Sequence, residues 1–72
     1  MLAYMVKETI TEQYYISGRL TLTKNLGKTF QTERAAINRK NDCQFYADRF
    51  YPNSNYNFVV VVVELVNEQI LN

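Results

Sequence analysis

The most constraining stretch of this sequence is Phe58-Val-Val-Val-Val-Val63, six apolar residues of which five are consecutive valines. β-Branched side chains lose rotamer freedom in a helix and pack well on a pleated surface, so the run predicts an extended strand, drawn here over residues 56–66. Alternation puts Val59, Val61, Val63 and Leu65 on one face and Phe58, Val60, Val62 and Val66 on the other. Both faces are apolar, and a strand of that kind needs cover on both sides. An uncovered valine face would be an aggregation hazard. Val59, Val61 and Val63 are therefore the predicted self-association residues.

The rest of the chain limits how that cover can be supplied. Seventy-two residues suffice for one domain and not for two, and the whole chain 1–72 reads as one. A core of this size supplies only about 3–5 kcal/mol, which small domains supplement with disulfides, metals or oligomerisation. Cys43 is the only cysteine and there is no histidine. No internal disulfide can form, and no tetrahedral zinc site is expected. A homo-oligomer, most simply a dimer, or a good core alone is what remains.

Upstream, Leu2–Ile10 mixes aromatic, β-branched and charged residues and predicts a strand. Residues 14–23 alternate more clearly. Tyr14, Ile16, Gly18, Leu20 and Leu22 form a dry parity, and Tyr15, Ser17, Arg19, Thr21 and Thr23 a wet one. Gly18 within that run suggests a bulge or a close backbone approach. Lys24-Asn25-Leu26-Gly27-Lys28 reads as a basic turn. Thr32 is a good N-cap, followed by Glu33 at the positive end of the helix dipole. One helix running to Phe50 would place Arg39 on the face of Cys43, Tyr46 and Phe50, and Asn41-Asp42 resembles a stop and a new cap. Two short helices or one broken one, about 33–40 and 43–50, are therefore expected, the second part ended by Pro52 and the Asn53-Ser54-Asn55 cluster. The fold class is α+β with order ββαβ: a three-stranded antiparallel sheet, spatial order 2-1-3, with a short or broken helix on one face.

Charge is unevenly laid out. Between Arg19 and Lys40 six cations face Glu33 alone, a local net of +5, while the flanks carry two cations against six carboxylates, a net of −4. The basic segment can meet phosphates or an acidic protein surface. The overall pI of 7.8 is below the value near 9 that marks dedicated nucleic-acid binders. Tyr15 stands out among the six tyrosines by lying on the wet parity, so Tyr15, Arg19, Thr21 and Lys24 are the candidate contact face for a protein partner. The rival reading is a nucleic-acid-binding domain that uses Lys24, Lys28, Arg34, Arg39 and Lys40.

Catalysis is not expected. No histidine is present to activate a nucleophile, no carboxylate pair has a suggestive spacing, and Cys43 sits on an apolar helix face. Gly27-Lys28-Thr29 echoes the end of a phosphate-binding loop, but Leu22 stands where its first glycine belongs. No cofactor or metal is expected. The longest apolar run is six residues against about 20 for a membrane-spanning helix, and residues 1–7 lack the pattern of a signal peptide. A cytoplasmic location with no membrane partner follows as the expectation, and the single unpaired cysteine agrees with it.

The segment Gly27–Lys40, with its step Thr32-Glu33-Arg34-Ala35-Ala36, resembles a pattern found in small phage and prophage proteins, where a short strand enters a helix. The resemblance covers about a fifth of the chain. It implies an accessory protein of a mobile element that binds, inhibits or modulates one host macromolecule, such as a host protein. The expected function is thus a non-catalytic, homodimeric protein-binding module.

Overall fold

A computed structural model describes residues 2–64. The elements are β1 (Leu2–Glu8), β2 (Gln13–Ser17), β3 (Thr21–Thr23), α1 (Glu33–Phe50), a 3-10 turn at Pro52–Ser54, and β4 (Phe58–Glu64). They form one antiparallel sheet of four strands in the order β3-β2-β1-β4, with α1 packed on one face. The α+β class with an antiparallel sheet agrees with expectation. The strand count does not: the sheet has four strands, and the expected 2-1-3 order survives only as the β2-β1-β4 part of it.

The extra strand arises because the run 14–23 is folded back on itself. Gly18 has φ of +63°, the left-handed conformation that glycine adopts without Cβ strain. The chain reverses there, and Tyr14 pairs Thr23, Tyr15 pairs Leu22 and Ser17 pairs Thr21, with an irregularity between Tyr15 and Ser17. Reversal also exchanges the expected faces of β2, while Leu20 and Leu22 still pack against the core as expected. Tyr15 is buried and Ile16 exposed. The first strand stops at Glu8 rather than Ile10, since Glu12 takes a left-handed φ of 56° and closes the turn into β2.

α1 is a single helix of 18 residues, not two. Thr32 caps it as expected, its hydroxyl accepting the Ala35 N–H at 3.2 Å. Asn41 and Asp42 lie on its exposed side and interrupt nothing. Its inner stripe is Ala36, Cys43 and Ala47, small side chains that let the helix approach the sheet closely. The core they meet contains Val6, Tyr15 and Phe58, flanked by Leu20, Leu22, Phe30 and Tyr56. The polypeptide between β3 and α1 crosses β2 closely. Gly27 lies where an added Cβ would stand 2.6 Å from both Tyr14 Cβ and the Tyr15 carbonyl oxygen. Lys28 N–H then donates to Tyr15 C=O, and Phe30 exchanges two backbone hydrogen bonds with Tyr4, filling the gap where β2 leaves β1.

β4 runs antiparallel to β1 from Leu2–Glu64 to Glu8–Phe58 and is an edge strand. Its start is held by two side chains that the sequence reading did not single out. Glu8 is fully buried, and its carboxylate accepts the N–H groups of Ile10, Thr11 and Asn57 and the Thr11 hydroxyl. Burial works to raise its pKa, but these donors, Thr11 and Asn57 foremost, outweigh it and hold the carboxyl below its usual value. Gln44 of α1 donates to the Tyr56 carbonyl and accepts the Phe58 N–H, both at 2.9 Å. The turn between β1 and β2, the helix and the valine strand are thereby joined at one corner.

Candidate functional site

The pair Arg39 and Tyr15 explains both the unbroken helix and a cleft beside it. Arg39 does occupy the helix face shared with Cys43 and Tyr46. The helix nevertheless continues, because the guanidinium lies over the Tyr15 ring, 5.4 Å from its centroid, and need not enter the apolar core. Tyr15 is set for this contact from below. Its hydroxyl donates to the Gly18 carbonyl at 2.6 Å, which pins the β2–β3 turn, and the Cys43 thiol lies 4.0 Å from the Arg19 carbonyl on the same turn. Arg19 is thereby carried to within 5.9 Å of the Tyr46 ring centroid.

The result is a cleft of about 500 Å³ between the β2–β3 turn and α1, lined by Arg19, Arg39, Asp42, Phe45, Tyr46, Arg49 and Phe50. The helix residues recur at three- and four-residue steps, so they follow one stripe down the helix for about 16 Å. Tyr46 packs on Phe50 with centroids 4.6 Å apart and on Tyr51 at 6.1 Å. Arg49 lies 5.7 Å from the Phe50 centroid. Three guanidiniums thus share the cleft with one carboxylate, Asp42, which approaches Arg39 at 3.9 Å in a solvated geometry that contributes little. Phe45 is 69% exposed and Phe50 55%, an unusual outlay of apolar ring surface for so small a domain.

The residues expected to carry function are dispersed by this fold. Of the predicted contact face, Tyr15 is in the core, Arg19 is in the cleft, and Thr21 and Lys24 are exposed on and just after β3. Tyr15 as an outward contact residue is a correction: the turn at Gly18 swings its ring beneath the helix. Of the predicted nucleic-acid set, only Arg39 reaches the cleft. Arg34 lines a separate shallow depression with Glu33, Ile37 and Asn38, and Lys28 lies over the Phe30 ring. Lys24 is exposed and Lys40 half-buried. Val59, Val61 and Val63 do stand together, half-buried, on the sheet face away from α1, opposite Lys7, Met5 and Ala3. Leu65 and Val66 lie outside the described residues.

Arg49 and Phe45 were not anticipated. The signal was present, since Arg39, Asp42, Tyr46, Arg49 and Phe50 align on an uninterrupted helix, and dividing the helix at Asn41 separates them. Cys43 is wholly buried. Burial pushes its thiol pKa up to about 11, with Arg39 opposing the rise and Asp42 adding to it. Among the described residues no three His, Cys, Asp or Glu side chains converge in a way that could hold a metal, and no helix is long and apolar enough to cross a membrane.

Comparison with protein-family models, with curated proteins and with solved structures returned no match.

Proposed function

We propose that this chain is a non-catalytic protein-binding module that works as a homodimer joined along the outer edge of β4. The observation that supports the reading is the state of that edge. Thr9 N–H donates to the Asn57 carbonyl, which makes 9 and 57 a hydrogen-bonded pair of the β1–β4 ladder. Alternation then aims the backbone groups of Val59, Val61 and Val63 at β1 and those of Phe58, Val60 and Val62 outwards. The Phe58 N–H is taken by Gln44. Among the described residues no strand pairs with the edge at Val60 and Val62.

An edge of this kind, without proline or charge from Phe58 to Val63, is a template for another strand. A second copy laid antiparallel along it obeys two-fold symmetry and meets an identical edge. The Val59, Val61 and Val63 stripes of the two copies then become neighbours on one continuous sheet face. The reading is one of assembly rather than chemistry.

Light scattering or sedimentation across a concentration series tests it. The expected result is a dimer mass at micromolar concentration. Val62→Lys, at a position 59% exposed, puts a charge on the edge without touching the β1 ladder and should give a folded monomer. A wild-type chain that stays monomeric up to high micromolar concentration would overturn the proposal.

A further inference from the structure

The cleft between the β2–β3 turn and α1 lies at the opposite side of the sheet from β4, and nothing in the dimer reading uses it. We propose that it is a binding site for single-stranded nucleic acid, with bases stacked on Phe45 and Phe50 and backbone phosphates held by Arg19, Arg39 and Arg49.

The composition of the cleft carries the inference. It concentrates three of the chain's four arginines, and lysine is absent from its lining. Guanidinium is the cation suited to phosphate, because its planar fork matches two oxygens and is weakly hydrated. Opposite these charges stand rings left largely in water. Burying exposed Phe45 and Phe50 against an apolar partner would satisfy the rings and strand three charges. An acidic peptide would satisfy the charges and leave the rings unmatched. A single strand carries one phosphate and one π-face in every unit, and so matches both properties of the surface at once. A duplex already stacks its bases on one another and offers the rings nothing.

The geometry agrees. Arg39 and Arg49 are ten residues apart on one helix, about 15 Å along its axis, with Phe45 and Tyr46 between them and Phe50 just beyond. Arg19 approaches from the turn and forms the second wall. All three guanidiniums already lie over rings, Arg19 over Tyr46, Arg39 over Tyr15 and Arg49 over Phe50, so less rotamer freedom is lost when phosphate arrives. Asp42 is the one group of opposite sign, and it limits the site to a short contact of a few phosphates.

The test is fluorescence anisotropy of the full chain with a labelled homopyrimidine strand of about ten nucleotides, between about 50 and 200 mM salt. Binding is expected, with a log–log salt slope of about −2, three phosphates at about −0.7 each. Phe45→Ala should weaken it about ten-fold by loss of one stacked base, and Arg49→Glu at least as much. Both positions are exposed, and unchanged circular dichroism establishes that the variants fold. Arg34→Glu, which removes a cation outside the cleft, should leave affinity within about two-fold. Val62→Lys should also leave it unchanged, which separates this site from the dimer edge. No binding at the lowest salt would overturn the proposal. So would equal binding by Phe45→Ala and Arg49→Glu, tighter binding of a duplex of the same length, or displacement of the strand by poly-glutamate at comparable concentration.

Discussion

Replacing Glu8 by Gln should remove most of the stability of this domain, although it changes only one oxygen to an amide nitrogen. Each carboxylate oxygen now accepts two donors: Oε1 takes the Thr11 N–H at 2.6 Å and hydroxyl at 2.7 Å, and Oε2 takes the N–H groups of Ile10 and Asn57, both at 2.9 Å. Glutamine retains one acceptor. Its best placement leaves the carbonyl on Ile10 and Asn57 and turns the NH2 toward Thr11, whose hydroxyl can rotate to accept but whose N–H cannot. One N–H is orphaned, at a cost of about 1–3 kcal/mol. The two surviving bonds fall from charge-assisted to neutral strength, about 1 kcal/mol each. A total of about 3–5 kcal/mol follows, comparable with the roughly 3–5 kcal/mol that a core of this size supplies. Urea denaturation at pH 7 and fixed protein concentration measures it, and the midpoint should fall with little change in slope.

The pH dependence gives an independent check on the same carboxylate. Its folded pKa is depressed from 4.5, so its contribution is fully present above that value and is lost as pH falls through the folded pKa. Glu8→Gln should lack that part of the acid-induced loss. A destabilisation below about 0.5 kcal/mol, or an unchanged acid limb, would refute the reasoning.

Three further outcomes are expected. Gly27→Ala should destabilise by about 1–3 kcal/mol, because the new methyl meets Tyr14 Cβ and the Tyr15 carbonyl at 2.6 Å; thermal denaturation reads it directly. Glu12→Gly should instead stabilise by up to about 1 kcal/mol, since it relieves a left-handed φ of 56° and gives up only a solvated 4.0 Å contact with Lys7; the same melt shows the sign. Cys43 should resist a thiol reagent at pH 8 in the folded protein and react promptly in denaturant, as burial and a pKa of about 11 leave about one thiolate per thousand.

Local signals in the sequence were legible where local rules decide the outcome. The valine run, the Thr32 cap and the mixed aromatic and β-branched composition of the first strand all correspond to elements of the fold. Two features depended on contacts distant in sequence and were not legible. Arg39 looks incompatible with an apolar helix face until Tyr15 is known to lie beneath it, and Tyr15 reaches that place only because the chain turns back at Gly18. The fault in reading 14–23 as one strand and the fault in dividing α1 are therefore the same fault seen from two sides. The arginine cleft was hidden for the same reason, since its walls come from those two segments. Glu8 was overlooked because a carboxylate in a mixed strand looks like surface, and only the return of the chain at Asn57 supplies its longest-range donor.

The corner made by Glu8 and Gln44 also sets a direction for motion in β4. Those two side chains grip the strand at Asn57 and Phe58, five residues before Val63, whose partner across the sheet is Ala3. Among Val59, Val61 and Val63, amide exchange should therefore be slowest at Val59, the one nearest that grip. The valine strand is in this sense anchored at its start, and the anchor is a single glutamine amide on the helix together with a single buried carboxylate.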